Sequence, residues 1–359
     1  MANLPFPDDD LRWVSTLKSA CILLVVLFHV TDPGFVNTLA SLSAGRQIAE
    51  GWAAFNAQLS PFRMPAFFFV SGLLARRSIN ARSWRELAGG RLANLLYLYL
   101  LWCLLQWLAV QFIIHQITGQ RISSNTNAIY AASPLELVVL TLKGMSSAWY
   151  IYALFGYIVL AKAGKRWPCL CLGFGLLLYL IAVFKLVPGW GPQSLCRYAL
   201  FFLAGAYFSQ PVIALSRWRT KNVPAWLLLL AAAAGLRAAG IAFNLFESFI
   251  AILLAIAGCR LLNAHLPTAQ INRLGFITLP IYVMHRIFIE LFGMATIQYA
   301  AHHGSFDSPV FSIFWAIAYP PLMTLLCAAA ALAIWKLINQ GVGQRLFSLR
   351  PRPPAAVSA

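Results

Sequence analysis

Charge is scarce in this chain. Only 10% of its 359 residues are Asp, Glu, Lys or Arg, where a soluble domain carries roughly a quarter. A water-exposed globular surface is therefore excluded. The seven cysteines (Cys21, Cys103, Cys169, Cys171, Cys196, Cys259 and Cys327) fall in or beside apolar runs. None forms a CxxC pair, which argues against a disulfide framework and against a zinc site. There is no internal repeat, and none of the paired broken helices that mark many transporters. No cleavable signal pattern opens the chain, so its first apolar span is expected to stay as an uncleaved anchor. A net charge of +17 invites a nucleic-acid partner. The basic residues are spread between apolar runs rather than gathered in one patch, so no nucleic acid is expected.

What the chain has is apolar length. Hydrophobic residues make up 60% of it, in recurrent runs long enough to span or nearly span a bilayer. The pattern predicts an all-α, polytopic membrane bundle of about ten spans. These fall near 13–30, 62–75, 92–114, 148–163, 168–187, 194–210, 224–242, 248–262, 274–297 and 310–336. The second is short and reads as partly re-entrant. Arginine and lysine concentrate in alternate connections, including Arg76 to Arg91, Lys162 to Arg166, and Arg217 to Lys221. The positive-inside rule then puts both termini in the cytoplasm. The expected organisation is an N-terminal cytoplasmic segment 1–12, a membrane domain 13–336 and a disordered cytoplasmic tail 337–359. Connections 31–61 and 115–147 are long enough to line an entrance on the outer side.

The first span carries the strongest chemical signal. Lys18 and His29 are eleven positions apart, so on a helix they lie about 20° apart on one face. Their separation along the axis is roughly 16 Å, about half of a ~30 Å hydrocarbon core. With Lys18 at one interface, His29 sits near mid-depth, where an ionisable group is a functional-site hypothesis by default. It reads equally as a buried neutral histidine bonded to a carbonyl. Asp32, three positions on, could orient its ring or simply close a turn with Pro33 and Gly34. His285 lies twelve residues beyond Arg273 and reaches a comparable depth on a span running the same way. Arg286 and Glu290 are spaced as an i,i+4 ion pair that locks packing. His302-x4-Asp307 reads as a chance match to a glycerophosphate-type acyltransferase motif, and Phe67-Phe68-Phe69 as packing.

Several segments, in order along the chain, resemble the membrane acyltransferase-3 family. Lys18-x10-His29 is similar to its Arg/Lys-x10-His signature. Arg63-Met-Pro-Ala-Phe-Phe-Phe-Val-Ser71-Gly72-Leu is similar to its MPxFFxxSGxL segment, and Arg82-Ser-Trp-Arg85 to its Arg-x-x-Arg. Trp149-Tyr150-Ile-Tyr152 and Leu279-Pro-Ile-Tyr282-Val-Met-His285 resemble two further spans. The resemblance covers about residues 10–335 and is closest to an inner-membrane branch without an added extracytoplasmic domain. It implies transfer of an acyl group, expected to be acetyl, from cytosolic acyl-CoA to a hydroxyl of an envelope glycan or related acceptor. No bound cofactor is expected; acyl-CoA is the donor substrate, and membrane lipids are the surroundings.

In that reading His29, Asp32 and His285 are catalytic, with His29 as general base or acyl carrier. Lys18, Arg82, Arg85 and Arg91 hold the donor phosphates. The five arginines from Arg76 to Arg91 also serve orientation and anionic lipid binding. Ser71, Trp149, Tyr150 and Tyr282 contact substrate, while Ser71 and Gly72 equally suit close helix packing. Two rival readings stand beside it. One is a transporter or flippase for a lipid-linked sugar. The other is a non-catalytic partner in polysaccharide assembly.

Overall fold

A computed structural model describes residues 12–241 and 244–350; segment 1–11 and positions 351–359 of the expected tail lie outside it. The described residues are helical, with no strand among them. The long helices begin with α1 (Arg12–Val30), α2 (Arg46–Gln58), α3 (Ser60–Ala81) and α4 (Ala93–Ile113). Next come α5 (Pro134–Leu142), α6 (Trp149–Ala163), α7 (Pro168–Val183), α8 (Trp190–Leu215) and α9 (Val223–Ala238). The series ends with α10 (Leu245–His265), α11 (Ala269–Phe276), α12 (Thr278–Phe288), α13 (Met294–His302) and α14 (Pro309–Ile338). A helix occupies each of the expected spans. Among the described residues six stretches are long and apolar enough to cross a membrane, and α6 and α7 are shorter apolar helices.

The second expected span differs from its forecast. It is a continuous helix of 22 residues with Pro65 inside it, about 33 Å long at the standard rise. Its arginines, serines and glycine lower its hydropathy, but its neighbours cover it: Phe67, Phe68, Phe69 and Val70 are all buried. Helix α3 lies against α8 at backbone distance through two glycines. A Cβ on Gly72 would stand 2.0 Å from the Phe202 carbonyl oxygen, and one on Gly205 1.9 Å from that of Phe69. Small residues that let backbones touch are the usual device for packing helices in lipid, where burial of apolar area between helices gives no driving force.

The expected ninth span starts a few residues later than forecast. A break at Ile277 parts α11 from a helix that runs on from Thr278 to His302, α12 and α13 being joined by a widened helical turn over Ile289–Gly293. At the other end of the chain, the boundary drawn at 336 falls inside α14. The residues after α14 are not loose through 349. The Trp102 indole donates to the Leu346 carbonyl at 2.8 Å, Tyr97 to that of Arg345 at 2.9 Å, and the Leu349 N–H to Asn94 at 2.8 Å. These partners on α4 stand some 250 positions earlier in sequence, so periodicity could not show them.

The start of α6 is buried and needs a donor's partner from outside the helix. The Tyr282 hydroxyl supplies it, accepting from the Tyr150 N–H at 3.0 Å. Lys162, 4% exposed, closes the end of α3 by donating to the carbonyls of Ile79 and Arg82.

Two substitutions test this packing. In Gly72→Ala the new methyl meets backbone, which no rotamer change relieves. It should cost about 3 kcal/mol, the upper end for overpacking, read as a lower midpoint of thermal unfolding in detergent. Tyr282→Phe strands the Tyr150 N–H and should cost roughly 1–2 kcal/mol in the same assay.

Candidate active site

Helices α1 and α12 bring the two intramembrane histidines together. The His29 and His285 rings stand 5.2 Å apart, centre to centre, tilted by 32°. His285 is 1% exposed, and its Nδ1 lies 2.6 Å from the Tyr282 carbonyl oxygen. A carbonyl only accepts, so in the neutral ring Nδ1 carries the proton and Nε2 keeps the lone pair. That Nε2 is buried and has no hydrogen-bond partner. His29 is half-buried, with Phe28 edge-on at 5.0 Å.

Two cavities lie close to this layer; His29 lines the second, and neither histidine lines the first. The first, about 250 Å3, is lined by Lys18, Arg91 and Asn94, and ends on Ser71, Tyr150 and Tyr282. The second, about 290 Å3, is lined by His29, Asp32, Trp149, Trp190 and Arg286, with Ser123, Asn125, Asn127, Tyr130 and Ser147. The wall between them is built from residues close in sequence. Tyr150 lines the first cavity and Trp149 the second, while Tyr282 lines the first and Arg286, one turn further along the same helix face, the second.

The wall is knit by hydrogen bonds. The Ser71 hydroxyl donates to the Phe67 carbonyl at 2.8 Å and stands 2.5 Å from the Tyr150 hydroxyl. The Tyr150 ring stacks on Phe67 at 4.7 Å and meets Tyr282 edge-on at 5.5 Å. Tyr282 then links to α6 through its hydroxyl and to His285 through its carbonyl. A chain of contacts thus runs from Ser71 through Tyr150, Tyr282 and His285 to His29.

The sequence-selected residues divide. Lys18 and Arg91 line the first cavity, whereas Arg82, just after α3, and Arg85, on the short helix Trp84–Leu87, are exposed and do not line it. Arg91 reaches back to Ser78 at 3.4 Å. Asp32 is exposed in non-helical backbone just beyond α1, on the wall of the second cavity. No hydrogen bond joins it to either histidine among the described residues. Glu247, a carboxylate just before the eighth expected span, lines neither cavity; it caps α10 with Asn244 and pairs with Arg237 at 2.6 Å. His302 and His303 lie on the exposed end of α13, and no metal-holding group of His, Cys, Asp or Glu occurs among the described residues.

Other residues of the cavities gave no sequence signal. Tyr130, Asn125, Asn127 and Trp190 come from connections without hydrophobic period. Arg63, 7% exposed, lies with its guanidinium 4.4 Å from the centre of the Phe28 ring and donates to Asn56 at 2.9 Å. It places a cation behind the aromatic side chain that adjoins His29, an arrangement worth most where water is absent.

The family described as "Acyltransferase domain" matches residues 11–338. The chain is 30% identical to inner membrane protein YcfT of Escherichia coli (strain K12) over 355 residues, 96% of this chain and 98% of that protein. No solved structure matches. This chain belongs to the membrane acyltransferase-3 family.

Proposed function

We propose that the protein is an inner-membrane O-acyltransferase that takes a short acyl group, acetyl in the first instance, from cytosolic acyl-CoA. It passes the group to a hydroxyl of an envelope glycan or related acceptor. The observation that carries this is a pair of cavities parted by a thin wall, Tyr150 and Tyr282 lining the first and Trp149 and Arg286 the second, with His29 on the second and His285 one turn beyond Tyr282. One cavity is basic and the other is polar with two tryptophans. A reaction between a donor and an acceptor that arrive from opposite sides needs this arrangement. The arginine-rich end faces the cytoplasm, with about ten spans and both termini inside, as the positive-inside rule assigns.

The donor phosphates are held at the mouth of the first cavity by Lys18 and Arg91, with Arg82 and Arg85 as exposed outer contacts. Arginine suits phosphate because its donors form a fixed fork. The pantetheine arm runs inward to Ser71, Tyr150 and Tyr282, and the thioester carbonyl reaches the His29 layer. The acceptor enters the second cavity, its ring against Trp149 or Trp190 and its hydroxyls on the amides and serines. His29 takes the proton from the attacking hydroxyl as oxygen bonds to the acyl carbon. The carbon–sulfur bond then breaks, and that proton leaves on the thiolate as free CoA. In the carrier variant, His29 attacks the thioester first and yields the acyl group to the acceptor afterwards. The Arg286 guanidinium faces the oxyanion that forms on the way. His285 shares the layer as second catalytic group, and Asp32 acts on His29 through the cavity rather than by direct contact.

His29→Ala should lower CoA release from acetyl-CoA by at least 100-fold, the usual contribution of a general base, with an unchanged unfolding midpoint. A variant that kept full transfer would end this mechanism. Lys18→Met and Arg91→Met should raise the acetyl-CoA KM about tenfold each, as expected for a lost charge-assisted bond, more than Arg82→Met or Arg85→Met. Mass spectrometry of envelope glycans and lipids, with and without the gene, should show loss of an acetyl- or succinyl-sized group from one component. Sugar flux without acyl-CoA consumption would favour a transporter instead.

A further inference from the structure

The rim of the second cavity is formed by residues 118–130, which supply Ser123, Asn125, Asn127 and Tyr130. This segment has almost no regular structure; only Ala128–Tyr130 forms a single tight turn. It is held by contacts from elsewhere: Trp190 donates to the Thr126 carbonyl at 2.6 Å and the Ala128 N–H to that of Met145 at 2.8 Å, and a second set comes from the chain just after His285. Glu290 is 1% exposed. One of its oxygens accepts from the Ile122 N–H at 3.1 Å. The other accepts from the Tyr130 hydroxyl, and from Arg286 at 2.8 Å. Arg286 also donates to the Tyr130 hydroxyl at 2.7 Å. Further along, Gln298 donates to the Thr118 carbonyl at 2.6 Å.

Shape reinforces the polar ties. The Ile122 side chain sits in a notch floored by two glycines: a Cβ on Gly34 would stand 2.6 Å from Ile122 Cδ1, and one on Gly293 3.0 Å from it. Gly34 follows Asp32-Pro33 at the end of α1, and Gly293 follows α12. The segment is thus keyed into the two chain stretches that carry His29 and His285.

A carboxylate needed only to lock helix packing would be satisfied by Arg286 on its own turn. Here both oxygens are also spent on the cavity rim, at two points eight residues apart. A buried carboxylate is tolerated only when paired and hydrogen-bonded throughout, so its partners are fixed in place with it.

We propose that Glu290 is a positioning residue for the acceptor. Through Ile122 and Tyr130 it holds the rim so that the acceptor hydroxyl meets the acyl group at His29. This rests on the acyl-transfer reading of the two cavities. Without that register the donor still reaches the histidine layer, and the acyl group goes to water more often than to the acceptor.

The test uses the full chain with Glu290→Gln, which keeps the side-chain shape but loses the charge, and with Ile122→Ala, which empties the notch. Glu290→Asp serves as the conservative partner. In detergent, hydrogen–deuterium exchange of 118–130 should quicken about tenfold in Glu290→Gln, the effect of losing one charge-assisted bond, and at least as much in Ile122→Ala, which removes buried methylenes, while residues of α6 keep their rates. In native membranes given radiolabelled acetyl-CoA, label transferred per CoA released should fall about tenfold. Glu290→Asp should restore part of it. Unchanged exchange at 118–130, or transfer and CoA release falling together at a constant ratio, would overturn the proposal. If membranes with the wild-type chain release no CoA, the acyl-transfer reading fails instead, and the exchange measurement still decides whether Glu290 holds the rim.

Discussion

The bond from the Tyr150 N–H to the Tyr282 hydroxyl is the contact on which the two-sided architecture depends. A helix that begins inside a low-dielectric bundle leaves backbone donors that water cannot reach, and each must find an acceptor or cost several kcal/mol. Meeting that need from α12 fixes α6 against it. Trp149 and Tyr150 then face opposite cavities. The same turn of α12 holds His285 by its ring nitrogen. One backbone requirement therefore sets the wall, the separation of the cavities and the place of the second histidine.

Polar atoms in this layer are few and almost all spoken for. Ser71, Tyr150 and Tyr282 satisfy one another and their own helices. The exceptions stand out for that reason. His285 Nε2 is buried without a partner and Arg286 Nε likewise, side by side on α12. An orphaned donor or acceptor is tolerated where it is needed for a partner that comes and goes. The close packing of α3 on α8 through Gly72 and Gly205 gives this layer a rigid back wall, so little of it can relax to fill the gap.

Much of the fold was legible because lipid imposes simple rules. Apolar length marked where the helices lie, and the eleven-residue interval from Lys18 to His29 gave both face and depth. His285 could be put at similar depth by the same rise, and the structure sets its ring beside that of His29. Contacts between distant segments were not legible. Nothing in periodicity links Ile122 to Glu290, or Leu349 to Asn94. Segment 118–130 has no repeating pattern because its shape is imposed by what it docks on. The pattern starts the ninth span at 274 because apolar content continues across the break at Ile277; from Thr278 to His302 it is one helix, as read. Among the arginines, motif and charge density pointed equally to Arg82, Arg85 and Arg91. Only the path of the chain after α3 shows that Arg91 alone of these lines the cavity.

Glycan and CoA never need to share one side of the membrane if the histidine layer is where they meet. That claim is tested most directly by reconstituting the full chain in sealed liposomes with one uniform orientation. Radiolabelled acetyl-CoA is then supplied only on the arginine-rich face, with acceptor glycan only on the other. Transfer across the bilayer should appear as labelled glycan on the far side, in step with CoA released on the near side, and should vanish in His29→Ala. Label confined to the near side, or glycan acylated at an undiminished rate by His29→Ala, would contradict it.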